Sequence, residues 1–119
     1  MSDLILTTHK TSDGTTITVA GELDLTSCPV LEDATCQAAP ADGAPLRIDM
    51  SQVTFMDSSG LNFLLILRRR LADGGSRLVL TGVQGAPMRV LTLTGADTLL
   101  LPAGTQVHAT QMLDPVTPA

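Results

Sequence analysis

Asp57-Ser58-Ser59-Gly60 puts a carboxylate, two adjacent hydroxyls and a glycine between two apolar runs, residues 46–50 and residues 61–71. The first run reads as a strand that reaches the polar turn through a short link. The second reads as a helix that starts at once. Backbone N–H groups at a helix start have no intrahelical partners, and the helix dipole favours negative charge there. A hydroxyl at that point can cap the helix. It can also accept a phosphoryl group, which could then rest on the helix N-terminus. Gly60 fits a place of close backbone approach or unusual backbone angles.

Other chemistries fare worse. Phosphorylation of Asp57 itself would need a magnesium site of paired acids after the first strand, and a lysine. The only lysine is Lys10, and no acidic pair stands there. His9 and His108 are isolated, and Cys28 and Cys36 are eight apart, so no metal-ligand spacing exists. On a helix that spacing separates the thiols by about 12 Å along the axis, too far for a disulfide. Residues 82–87 do not form a phosphate loop, and no histidine has a sequence link to Ser58. No catalytic apparatus or cofactor site is read, and the chain is read as a non-enzyme.

The elements that must position the turn are legible in outline. Residues 4–8 and 15–20 alternate, and Asp13-Gly14 between them is a hairpin signal. Thr26 or Ser27 suits the N-cap of a helix running to about residue 38, with Pro29 in its first turn. Residues 40–45 break the chain. Residues 46–50 form a strand, residues 59–72 a helix ended by Asp73-Gly74-Gly75, and residues 77–81 a short strand. Pro87 opens a helix that closes at Gly95. Residues 98–101 suggest a last strand, residues 107–113 a short helix, and residues 114–119 a frayed tail. Residues 1–113 form one domain. The fold class is α/β: a small mixed sheet with an opening antiparallel hairpin, then mostly parallel βα units, and helices packed against it. The first half of the helix at residues 59–72, Leu61 to Leu67, is apolar almost all round, so it either buries more than one face or shows an apolar face to a partner.

Composition narrows the partners. The chain has 119 residues and a net charge of −5, with twelve acids against seven bases. An acidic surface argues against nucleic-acid binding, which needs a basic field. Arg68-Arg69-Arg70 fans around a helix and sits at its C-terminal end, where cations complement the dipole. No apolar run is long enough to span a membrane, and Met1-Ser2-Asp3 does not open a signal peptide. A cytoplasmic location is expected, with no membrane or nucleic-acid partner.

Asp57-Ser58-Ser59-Gly60-Leu61 resembles the D-S-S/T-G-L signature of STAS domains, the sulphate-transporter and anti-sigma-antagonist family. Three further stretches agree in order and spacing: Gly21-Glu22-Leu23-Asp24, Ile48-Asp49-Met50-Ser51, and Val90-Leu91-Thr92-Leu93-Thr94-Gly95. Together they cover roughly residues 15–100. The resemblance implies a STAS-like fold and an anti-anti-sigma factor. Such a protein, unphosphorylated, binds an anti-sigma factor that is also a serine kinase and so releases the sigma factor. Phosphorylation switches binding off, and a serine phosphatase restores it. On this chain the resemblance makes Ser58 the phosphoacceptor and Asp24, Asp57, Ser59 and Gly60 the partner surface. Asp24 is read as a surface acid, replaceable at little cost to stability, with Asp42 on the far side. A bulky residue at Gly60 is expected to block docking even if the fold survives. The alternative is a STAS scaffold or sensor-binding module that does not control a sigma factor directly.

Overall fold

The computed structural model describes residues 4–38 and 43–101. The Asp13-Gly14 turn joins β1 (Leu4–Thr11) to β2 (Gly14–Leu23) as an antiparallel hairpin, with Leu6 opposite Val19 and Thr8 opposite Ile17. Next come α1 (Cys28–Gln37), β3 (Leu46–Met56), α2 (Ser58–Asp73), β4 (Leu78–Thr81), α3 (Gly85–Thr94) and α4 (Asp97–Leu100). The sheet order is β1-β2-β3-β4, and β3 is parallel to both β2 and β4. This is the mixed sheet expected from the element order.

Period-two alternation sorts the strands into two faces. Ile17 and Val19 of β2, Leu46, Ile48 and Met50 of β3, and Leu80 of β4 are buried under the helices. Leu31 of α1, Leu64 and Leu67 of α2, Leu91 of α3 and Leu100 of α4 complete the same core. On the other face Thr16, Thr18, Arg47 and Asp49 are only partly covered.

Two expectations need correction. β3 does not end at Met50 in a link; it runs to Met56, at the edge of the polar turn. Its pairing with β2 slips between Thr18 and Ala20 and again between Gly21 and Glu22, so β3 carries extra residues at both places. Such irregularities break the side-chain alternation that marks a strand in sequence. Residues 98–101 are not a strand: α4 spans Asp97–Leu100, with Leu100 buried and Leu99 exposed. Of the two readings open for the apolar run of α2, burial of more than one face takes most of it. Leu61, Phe63, Leu64 and Leu67 face inward, because α2 packs against β3, β4, α1, α3 and α4. Ile66 is the large apolar side chain of this run that stays exposed.

The end of α3 behaves as read. Gly95 caps it in the left-handed region, at φ 79°, where glycine carries no Cβ penalty. The proposed helix at residues 107–113, the tail at residues 114–119, Met1-Ser2-Asp3 and Asp42 lie outside the described residues.

Candidate functional site

Asp57 stands between β3 and α2 with extended backbone, φ −109° and ψ −169°. Its Oδ1 accepts the N–H groups of Ser59 at 2.9 Å and Gly60 at 3.2 Å. Asp57 is therefore the helix cap, and its charge also complements the dipole. Ser58 is the first residue of α2, and its hydroxyl is no cap. It is exposed and has no hydrogen-bond partner among the described residues. Ser59 is half-buried. The two hydroxyls, equivalent in sequence, differ in access. Ser58 opens onto a shallow depression of about 490 Å³ lined also by Ser59, Leu61, Asn62 and Leu65.

Gly60 is buried and faces inward. A Cβ there would lie 2.7 Å from Met56 Cγ and 2.8 Å from the Leu23 carbonyl oxygen. The expected close approach is present, but it is to the fold's own β2 end. The Asp57 N–H donates to the same Leu23 carbonyl at 3.4 Å.

The Glu22–Asp24 loop at the end of β2 is held from within. Ser27 is 2% exposed. Its hydroxyl donates to the Glu22 carbonyl at 2.7 Å and accepts the Asp24 N–H at 2.9 Å. Ser27 occupies the N-cap position of α1 as expected, yet makes no capping bond there; its hydroxyl points back into the loop. Asp24 Oδ1 accepts the N–H groups of Thr26 and Ser27, both at 3.0 Å. Asp24 is thus half-buried and structural as well as charged. Lysine at 24 would remove two hydrogen bonds, at about 1 kcal/mol each, more than the small cost expected for a surface acid. Asp24→Asn keeps an acceptor oxygen and removes only the charge.

The loop and the turn share one rim. Cys28, the first residue of α1, donates its thiol to the Ser59 carbonyl at 3.7 Å. Burial pushes the Cys28 thiol pKa up, and the carboxylates of Asp57, Asp24 and Glu32 push it the same way. Two acids assigned to the site from sequence therefore bear on a single thiol. Beside it, α1 and α2 enclose a groove of about 320 Å³ that includes Leu25, Cys28, Glu32, Asn62, Phe63 and Ile66. Leu25 is 74% exposed and Ile66 47% exposed. Arg70 reaches Glu32 at 3.8 Å across the far end, an exposed pair of small energetic weight. Ser27, Cys28, Asn62, Leu25 and Ile66 were not picked out as site residues from the sequence. Two carried a signal there: Asn62 by its i, i+4 spacing from Ser58, and Ile66 by its place in the apolar run of α2. Among the described residues no cluster of three or more potential metal ligands occurs, and no helix is long and apolar enough to cross a membrane.

The sequence profile of the family described as "Mlab, STAS domain" matches residues 6–102, a span that runs from within β1 through α4 and includes the rim. The chain belongs to the STAS domain family. An anti-sigma-B factor antagonist of Listeria monocytogenes is 32% identical over 92 residues, covering 77% of this chain and 81% of the relative. The anti-sigma-B factor antagonist of Bacillus subtilis is 31% identical over 84 residues, covering 71% and 76%. The crystal structure of an anti-sigma factor antagonist from Mycobacterium paratuberculosis superposes with a TM-score of 0.70 at 28% identity, over 93% of this chain and 94% of that one. The anti-sigma factor antagonist SpoIIAA in its unphosphorylated form shares the fold, with a TM-score of 0.69 at 19% identity over 96% and 100% of the two chains. In this STAS domain the element order expected from the sequence is present through α3, with α4 in place of the expected last strand.

Proposed function

We propose that this STAS domain is an anti-sigma factor antagonist that works by partner switching in the cytoplasm. Unphosphorylated, it binds an anti-sigma factor that is also a serine kinase, and the sigma factor is released. The kinase transfers the γ-phosphoryl group of ATP to Ser58 Oγ, the hydroxyl proton and ADP leave, and binding is lost. A serine phosphatase hydrolyses the ester and restores binding.

The observation that carries this reading is the state of Ser58: an exposed hydroxyl, without a partner among the described residues, beside an aspartate already committed to capping. Relatives named as anti-sigma-B factor antagonists support the partner class. The rim of Asp24, Asp57, Ser59 and the Gly60-shaped turn forms the contact surface, extended by Leu25 and Ile66. A phosphoserine brings nearly two negative charges to a surface where Asp24 and Asp57 already stand. Like-charge repulsion and desolvation of a dianion cost several kcal/mol at a buried contact.

Incubation with the cognate kinase and ATP is expected to add one phosphate, at Ser58, and none to Ser58→Ala. Peptide mapping that put the phosphate on Ser59, or found a base-labile adduct on Asp57, would overturn the assignment.

A further inference from the structure

A phosphate on Ser58 needs hydrogen-bond donors, and the first turn of α2 has few to offer. The Ser59 and Gly60 N–H groups are bonded to Asp57 Oδ1 at 2.9 and 3.2 Å, and the Leu61 N–H to the Asp57 carbonyl at 3.1 Å. Two of the N–H groups on which the phosphate was expected to rest, those of Ser59 and Gly60, are therefore already held by a carboxylate. The cation at the far end of the neighbouring groove does not substitute. Arg70 lies twelve residues along α2, about 18 Å on the axis, and pairs with Glu32.

Asn62 is placed differently. It stands four residues after Ser58, and on a helix such residues are neighbours on one face. It is exposed and lines the same depression as Ser58. Its carboxamide has no hydrogen-bond partner among the described residues. The other side chains of that depression are two hydroxyls and two leucines. Asn62 alone there carries an amide with two N–H donors.

We propose that Asn62 holds the phosphomonoester of phosphorylated Ser58, donating a side-chain N–H to a phosphate oxygen while Asp57 keeps its cap. Asn62 is a positioning residue for the switched-off state and plays no part in forming the ester. The proposal rests on Ser58 as the acceptor, and its test does not depend on the kinase. Phosphoserine is installed directly at position 58 by genetic encoding, and its second ionisation is followed by phosphorus NMR. A hydrogen bond to the more charged form lowers that pKa. Asn62→Ala is expected to raise it by about half a unit. Asn62→Gln, which keeps the amide, is expected to retain most of the lowering, and circular dichroism should be unchanged in both. The Ser59 and Gly60 amide protons should stay at their positions in the unphosphorylated protein. An identical phosphate pKa in Asn62→Ala and wild type would overturn the proposal. So would a large downfield move of the Ser59 and Gly60 amide protons as the phosphate ionises, which would mean that the phosphate had displaced Asp57. Failure of Ser58 as the kinase's acceptor appears separately, in peptide mapping, and leaves this titration untouched.

Discussion

Ser58→Asp is expected to weaken binding of the anti-sigma partner at least tenfold, about 1.4 kcal/mol, with the fold intact. Ser58→Ala is expected to bind as wild type and stay bound in the presence of ATP. The structure makes both expectations sharper than the sequence could. Ser58 is exposed and is not the cap of α2, because Asp57 holds the Ser59 and Gly60 N–H groups. Removing the Ser58 hydroxyl therefore spares the cap, which otherwise would cost about 1 kcal/mol. The added carboxylate of Ser58→Asp meets Asp57 and lies on the rim shared with Asp24. Its single charge is less than that of a phosphoserine, so the tenfold figure is a lower bound for the modified protein. Calorimetric titration of the two variants checks this; equal affinity of Ser58→Asp and wild type would show that charge is not the switch.

Gly60→Ala is expected to destabilise the fold by about 1–3 kcal/mol, the usual cost of forcing volume into a packed site. Alanine ordinarily gains about 1 kcal/mol over glycine inside a helix, and here the clash outweighs that gain. The new Cβ would lie 2.7 Å from Met56 Cγ, 2.8 Å from the Leu23 carbonyl oxygen and 3.0 Å from Leu23 Cγ. Leu23 and Met56 are 1% and 2% exposed, so neither side chain has room to retreat. The carbonyl is backbone, and it accepts the Asp57 N–H. A shift there moves the cap and the Ser58 turn together, so partner binding falls along with the melting temperature. In a domain of this size each kcal/mol corresponds to about 4–8 °C. Gly74→Ala is the control, since its Cβ would meet nothing nearer than 3.6 Å. Melting of Gly60→Ala at the wild-type temperature would contradict this packing account.

The sequence expectation at Gly60 was a blocked partner even if the fold survives; the geometry adds a cost in the core. That contrast marks where sequence was legible. Features fixed by local chemistry were readable: the Asp13-Gly14 turn, the closure of α3 at Gly95, and the polar turn before α2. Features fixed by neighbours distant in sequence were not. β3 continues to Met56 because its two irregular pairings are with β2, about thirty residues earlier. Residues 98–101 are short and apolar, and such a run does not distinguish strand from helix by period. The position of Ser27 was read correctly, but its hydroxyl serves the Glu22–Asp24 loop rather than the helix it precedes. In the site, residue types gave Asp57 and Ser58, whereas the unequal access of Ser58 and Ser59 and the placement of Asn62 required the helix to be seen against its neighbours.

The central claim is that one phosphate on Ser58 decides whether this rim accepts an anti-sigma factor. Its most direct test is calorimetric titration of the cognate anti-sigma factor with the protein carrying serine, and then phosphoserine, at position 58. The account predicts one-to-one binding to the serine form and a loss of at least tenfold in affinity for the phosphoserine form. Equal affinity for the two forms, or no binding of the serine form, would contradict it.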